Sequence, residues 1–333
     1  MRVVVADPPA FTPPYDHALA TALARAGAEV ELVTSLFRFG AVADADGYRR
    51  RELFYPISSR IFKRSRLRLP LKVLEHPLGL ARLAASRADI VHVQWLALPE
   101  LDSWLLRHRA PLVLTAHDLL PRRTAGKTGL WRRAFGRFER IVVHSERGRE
   151  TLAAFGVPEE KLRVIPHPVT PSDPGRADDG RTVLALGLVR PYKQLEHARE
   201  AVSRIEGATL RVAGAADAFL TEAEIDQALG ESTVAVFPYR PELDQSGALL
   251  RVLGAGVPAV VYDVGGLREP VQAFGAGRVV APDDVDGLAA AIRELLDDEA
   301  ALAAARAGAL RAREELTWEA SAQAHLTLYR ELT

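Results

Sequence analysis

The sequence predicts an α/β protein built from two doubly wound parallel-sheet domains. Three observations carry this expectation. Short apolar, β-branched runs alternate with amphipathic helical stretches along most of the 333 residues, the pattern of strand–helix–strand units. Those runs are apolar at both alternating positions, as strands covered on both faces require. A stretch rich in Pro, Asp and Gly, "IPHPVTPSDPGRADDGR" (165–181), interrupts the alternation, which then restarts.

The elements follow in order. "RVVVAD" (2–7) reads as the first strand, "YDHALATALARAG" (15–27) as an amphipathic helix and "EVELVT" (29–34) as the next strand. "ADIVHVQW" (88–95), "APLVLTAHD" (110–118) and "RIVVHSE" (140–146) each read as a strand leading into a helix. Beyond the interruption come "TVLALG" (182–187), "ATLRVAG" (208–214), "STVAVFPY" (232–239), "VPAVVYD" (257–263) and "GRVVAP" (277–282). The remainder is helical, with two helices, a break near Thr317 and a last helix expected. The expected division is a first domain over 1–168, a linker over 169–181, a second domain over 182–316 and a terminal helix over 317–333.

Composition narrows the function classes. Lys plus Arg and Asp plus Glu number 43 each, so no overall field draws the chain to nucleic acid or to a membrane, and no nucleic-acid partner is expected. Cysteine is absent, which excludes disulfides, thiolate nucleophiles and Cys-ligated metal and fits a reducing compartment. The opening "RVVVA" is too short for the apolar core of a signal peptide. No run approaches the roughly 18 apolar residues of a membrane span. A cytoplasmic location is therefore expected.

Ligands of doubly wound sheets gather at the carboxyl ends of the strands, and the polar motifs fall there. In "GLVRPYKQLEHA" (187–198), Gly187 ends a strand and lets another group approach the backbone. Arg190 and Lys193 bracket the turn into the following helix, where cations suit a phosphate; ordinary surface charges are the alternative. Ser246 and Gly247 open the helix "ALLRVLGAG". Bare N–H groups at such a start attract anions, with a dipole contribution of about 0.3–1 kcal/mol; plain capping by Ser246 is the alternative. "DVGGLREP" (263–270) repeats the theme and aims Glu269 at the same region. His117 ends the strand of "LTAHD" (114–118), and in "VVHSE" (142–146) His144 precedes Ser145, which is expected to cap a helix. A lone histidine at such a place also fits a packing role. "ADADG" (43–47) holds an Asp-x-Asp pair, a metal signature in some enzymes, but in a loop of the wrong fold. Neither metal nor cofactor is expected.

In the ordered set "LTAHD", "VVHSE", "VIPHPV", "GLVRPYKQL", and "QSG" with "GAGVPAVVYDVGGLREPV", the chain resembles the family 4 glycosyltransferases over most of its length. The resemblance implies the GT-B fold: two Rossmann-like domains facing across a cleft, with the C-terminal helix crossing back to the first. It implies a retaining transfer of sugar from a nucleoside diphosphate sugar to an acceptor hydroxyl, without an essential metal, as in cell-envelope glycan synthesis. Arg190 and Lys193 match the family's diphosphate-binding pair, with Ser246 and Gly247 at the adjoining helix start. His117 matches the histidine that meets the donor sugar near the bond being broken.

Three departures stand out. The family's two glutamates, eight positions apart, are replaced by Leu243 and Arg251. A guanidinium cannot accept a hydrogen bond from a ribose hydroxyl, so sugar or ribose recognition is expected to pass to Asp244, Gln245 or Glu269. The first loop, "DPPAFTPPYDHA", lacks the usual glycine pair; Tyr15, Asp16 and His17 are expected to meet an acceptor or simply to start the helix, and Tyr15 and Asp16, with His144, are the acceptor-side candidates. Only 19 residues separate "RVAG" from "VAVFPY", where the family fits a further strand and helix. The same departures support a second reading, a catalytically decayed nucleotide-sugar-binding or regulatory protein. A dehydrogenase is disfavoured, because no G-x-G-x-x-G follows a strand. Finally, 48–72 is densely basic with Glu52 its only acid. It is expected to touch an anionic inner membrane face, at about 1 kcal/mol per charge, to hold a phosphorylated or lipid-linked acceptor, or simply to be solvated.

Overall fold

The β-branched runs become the strands of two parallel sheets, one in each of two units. The structure, a computed structural model, describes residues 1–38, 40–61, 68–121, 124–214, 220–241 and 245–333. Unit 1 comprises Met1–Pro166 and Trp318–Thr333; unit 2 comprises His167–Thr317.

Unit 1 runs β1 (Arg2–Asp7), α1 (Pro13–Arg25), β2 (Glu29–Ser35), β3 (Arg49–Phe54), α2 (Ser58–Ile61), α3 (Arg68–Ala84), β4 (Ile90–Val93), α4 (Pro99–Leu105), β5 (Leu112–Thr115), α5 (Thr128–Gly136), β6 (Arg140–Val143), α6 (Glu146–Phe155) and β7 (Leu162–Val164). The seven strands order as β3-β2-β1-β4-β5-β6-β7, so the winding reverses between β1 and β4. Val3 and Val5 point into one core with α1, and Val4 and Ala6 into the core on the opposite face. That double coverage is why β1 is apolar from Val3 to Ala6. β3 was not expected as a strand. It forms from "RRRELF" because it is an edge strand whose arginines face solvent; Arg51 pairs with Glu31 of β2 at 3.0 Å.

Unit 2 runs β8 (Thr182–Leu186), α7 (Leu195–Ser203), β9 (Thr209–Ala213), α8 (Glu222–Gly230), β10 (Val234–Phe237), α9 (Gly247–Gly254), β11 (Ala259–Tyr262), α10 (Arg268–Phe274), β12 (Gly277–Val280), α11 (Val285–Asp297) and α12 (Glu299–Glu315). Its five strands order as β12-β11-β10-β8-β9, and here the winding reverses between β8 and β10. Between β9 and β10 the described residues supply α8 and no further strand. The segment read as a linker lies along unit 2. Val169 is buried there and its N–H donates to the Leu316 carbonyl at 2.8 Å; Arg176 donates to the Gly256 carbonyl at 2.7 Å, and Arg313 pairs with Asp173 at 2.6 Å. Prolines keep this segment extended, while Gly254 lets it close in: a Cβ there would sit 2.0 Å from the Thr170 carbonyl oxygen.

The chain breaks near Thr317, as expected, and α13 (Trp318–Arg330) then packs on α1 of unit 1. The Trp318 ring meets Tyr15 edge-on at 5.1 Å, and the Tyr329 hydroxyl bonds His92 Nδ1 at 2.6 Å. His92 is fully enclosed, with Nε2 bonded to Thr115 Oγ1 at 2.7 Å. Burial holds its pKa well below the usual histidine value, so a neutral imidazole locks the helix in place.

Candidate active site

At the carboxyl edge of the second sheet, β8 ends at Gly187 with φ +95°, a left-handed conformation that favours glycine. A tight turn over Pro191–Lys193 follows, and Gln194 adopts φ +43°, also left-handed. This reversal folds Lys193 back over the strand it left. Its ammonium donates to the Leu186 carbonyl at 2.7 Å. A Cβ on Gly187 would lie 2.9 Å from that ammonium and 3.7 Å from Ala248 Cβ in the first turn of α9. The buried cation, the bare backbone at Gly187 and the start of α9 therefore share one small volume.

Lys193 is only 6% exposed. Burial, with the Arg190 charge adding to it, lowers its pKa to about 8. Of its three donors, one goes to Leu186; no ion pair engages it among the described residues. An incoming anion would supply a partner and raise that pKa again. Ser246 caps α9, accepting from the Leu249 N–H at 3.3 Å, while space opens beside Gly247. Both sequence readings of Ser246, cap and anion site, are thus compatible. Tyr239, two residues past β10, presents its ring 5.4 Å from the Lys193 ammonium.

Other candidates are more dispersed. Arg190 is exposed and donates to its neighbour's carbonyl, Val189 O, at 3.3 Å. Glu269 stands half-buried in the first turn of α10, past β11 on the same sheet edge. Gln245 is half-buried just before the α9 cap. Asp244 and Leu243 lie outside the described residues, as do 62–67 of the basic stretch. Arg251 is tied to Glu222 of α8 by a two-point ion pair.

At the carboxyl edge of the first sheet, the structure gathers a ring cluster. His117 Nε2 donates to Gln94 Oε1 at 2.9 Å, and its ring stacks on Trp95 with centroids 5.1 Å apart. Tyr15 meets His117 edge-on at 4.7 Å, and His144 lies 5.3 Å from His117. His144 Nδ1 donates to the Ile165 carbonyl at 2.9 Å, and burial lowers its pKa to about 4, so the ring is neutral at pH 7. Ser145 caps α6, accepting from the Gly148 N–H at 2.8 Å.

Asp16 is buried against Asp7, the last residue of β1. Asp7 accepts from the Phe11 and Thr12 N–H groups at 2.8 and 3.2 Å, so the proline-rich loop wraps around it. The two carboxyls come within hydrogen-bonding reach, and burial raises both, Asp16 the more. Such a pair retains one proton between its members. Asp7, Gln94, Trp95 and Tyr239 were missed at the level of sequence. The signal was position: each closes or directly follows a strand flanking a winding reversal. Among the described residues, no group of three His, Cys, Asp or Glu is disposed to hold a metal. Asp46 of the Asp-x-Asp pair is taken by Arg25 at 2.7 Å.

Residues 15–173 match the model of Glycosyltransferase Family 4, and residues 180–298 match that of Glycosyl transferases group 1. The exopolysaccharide phosphotransferase SCO2592 of Streptomyces coelicolor is 28% identical over 188 residues, covering 49% of this chain. The match takes in 20% of that protein, so this chain spans about a fifth of its length. D-inositol 3-phosphate glycosyltransferase 1 of Catenulispora acidiphila is 26% identical over 327 residues, 79% of this chain and 76% of that one. The crystal structure of Anabaena HepE in complex with UDP-glucose superimposes with a TM-score of 0.69 at 16% identity, covering 99% of this chain and 100% of that one.

Proposed function

The chain is a glycosyltransferase family 4-like protein with the GT-B fold, and from that premise we propose that it moves a sugar from a nucleoside diphosphate sugar to an acceptor hydroxyl, retaining the anomeric configuration and needing no metal. The observation that carries this reading is the buried Lys193 ammonium beside Gly187 and the first turn of α9. Lys193, Arg190 and the free N–H groups at Ser246 and Gly247 hold the diphosphate. As the bond between the anomeric carbon and the phosphate oxygen breaks, negative charge grows on that oxygen. A cation and helix end already in place stabilise that charge without reorganising, often the largest catalytic effect. The acceptor oxygen bonds the anomeric carbon on the face the phosphate leaves. Its proton passes to the departing phosphate oxygen, so the transfer needs no enzyme nucleophile.

His117 is assigned to the transferred sugar. Glu269, with Gln245 and Asp244, is assigned to sugar or ribose hydroxyls, because Arg251 cannot accept from them. Tyr15, Asp16 and His144 are assigned to the acceptor side, where Tyr15 and His144 act by shaping the pocket floor. The acceptor is a precursor of an envelope glycan, lipid-linked or polyol-like. A cytoplasmic enzyme resting on the inner membrane face suits it: α3 exposes Leu69, Val73, Leu74 and Leu78 beside the basic β3. Among the described residues no helix is long and apolar enough to cross a membrane.

A thermal-shift panel of UDP, GDP, ADP and dTDP, each with its glucose conjugate, tests the reading. A true ligand at 100 times its Kd stabilises by about 2.7 kcal/mol. Product from the donor so identified is then examined by NMR for a retained anomeric configuration. Silence across the panel overturns the proposal. Binding without transfer or donor hydrolysis favours the decayed, regulatory reading, for which the engaged Arg251 is the specific observation.

A further inference from the structure

Unit 1 gathers three cations for which the described residues supply no ion-pair partner. Arg38 follows β2, Arg68 opens α3, and Lys72 lies one turn further along α3. Several other arginines have carboxylate partners, as in Arg25–Asp46 at 2.7 Å, Arg268–Asp263 at 2.9 Å and Arg278–Glu294 at 2.6 Å. Among the described residues no ion pair engages Arg38, Arg68 or Lys72, and Arg38 Nη1 and Arg68 Nε are buried without a hydrogen-bond partner. A buried donor left unmade costs about 1–3 kcal/mol, and more when charged. The three also oppose one another. Burial and the Arg38 charge hold Arg68 below its usual pKa, and burial and the Arg68 charge do the same to Lys72.

The surroundings are buried and hydrogen-bonded, and the acid of α3, Glu75, is engaged by the Ile57 and Ser58 N–H groups, which donate to it at 2.8 and 3.0 Å. Lys72 Nζ rests 4.3 Å above the Tyr55 ring. The Tyr55 hydroxyl bonds His76 Nδ1 at 2.7 Å, and His76 Nε2 bonds Asp102 Oδ1 at 2.6 Å, all buried. α3 carries no acidic residue in its first turn, so the positive end of its dipole is uncompensated. The acid whose field reaches Lys72 is Asp7, whose carboxyl is raised by burial beside Asp16. Carboxyl ends of β1, β2 and β3 meet at this place, the usual position for a ligand of such a sheet.

We propose, resting on the transferase reading, that Arg38, Arg68 and Lys72 bind a phosphomonoester carried by the acceptor. A dianion satisfies three cations and a helix end where a neutral hydroxyl compound does not. The planar guanidinium forks bind phosphate oxygens in pairs, and Lys72 adds a point charge. The phosphate is a handle and undergoes no reaction. It belongs either to a soluble polyol phosphate or to a lipid headgroup.

The test uses the full chain. Calorimetry compares glycerol 3-phosphate with glycerol, and co-sedimentation compares vesicles of phosphatidylcholine with and without phosphatidic acid. Single Arg68→Gln and Lys72→Gln variants accompany the wild type, with circular dichroism and melting temperature as folding controls. Glycerol 3-phosphate is expected to bind while glycerol does not, with each variant at least tenfold weaker. Binding confined to phosphatidic acid vesicles, with the same loss in the variants, assigns the phosphate to a lipid. Failure of the wild type to bind either phosphate form, or equal binding by folded variants, overturns the proposal. The transferase reading fails separately, by silence of the nucleotide panel, which leaves the phosphomonoester result standing.

Discussion

The carboxyl edges of the two sheets are alike in topology and unlike in chemistry. Each lies where the winding reverses, between β1 and β4 in unit 1 and between β8 and β10 in unit 2. The second edge is sparse: a bare glycine, one buried lysine and a capped helix start. The first edge is crowded with a carboxyl pair, a ring cluster and three cations without an ion pair among the described residues. A diphosphate needs only charge and free N–H groups, so a minimal site suffices for it. An acceptor is recognised by its particular hydroxyls and charges, which calls for many side chains.

Three experiments break or sharpen that contrast. The largest effect is expected from Lys193→Ala, which empties the second edge of its buried cation. Turnover of the donor in a transfer assay should fall by about 10²–10³-fold, the range for removing one preorganised charge-stabilising group, with the fold intact by circular dichroism. Turnover within a factor of three of wild type would show that the second edge does not hold the diphosphate through Lys193.

Asp16→Asn probes the first edge. Because both carboxyls are raised, the native state keeps a proton that the unfolded chain releases near pH 4. Wild-type stability therefore falls as pH rises from about 4 through the raised values of the pair. The amide removes the repulsion, so the variant should gain on the order of 1–3 kcal/mol at pH 7.5 and little at pH 4. Urea melts at the two pH values measure this; a variant less stable at pH 7.5 would contradict the shared proton.

The smallest effect is the pH dependence of nucleotide affinity. Lys193 loses its proton near pH 8 in the free protein. Affinity for whichever nucleoside diphosphate binds should hold below pH 8 and weaken above it, toward about tenfold per pH unit. Calorimetry from pH 7 to 9.5 gives the profile, and Lys193→Arg should flatten it.

Much of this was legible in the sequence, for stated reasons. β1, β8 and β10 are covered on both faces, so their central residues are continuously apolar and betray them. β3 hid because an edge strand facing solvent can be "RRRELF" and still pair with β2. Gly187 and Lys193 stood out because a glycine and cations after a strand are unusual. Nothing in "RVVVAD" marked Asp7 as a buried partner of Asp16, and nothing marked Arg38 as a neighbour of Arg68 across thirty positions of chain. The stretch over 165–181 has linker composition, yet its polar groups are spent on unit 2.

The order of apolar runs, glycines and charges along the chain by itself determined two parallel sheets and the places where their strands end, because burial on both faces restricts which residues can occupy a strand. Only the tertiary structure decided which side chains meet at those ends. Charge compensation depends on distance in space: whether Lys193, Arg38 or Arg68 finds a carboxylate is settled by how turns and helix starts fold back, not by what neighbours it in sequence.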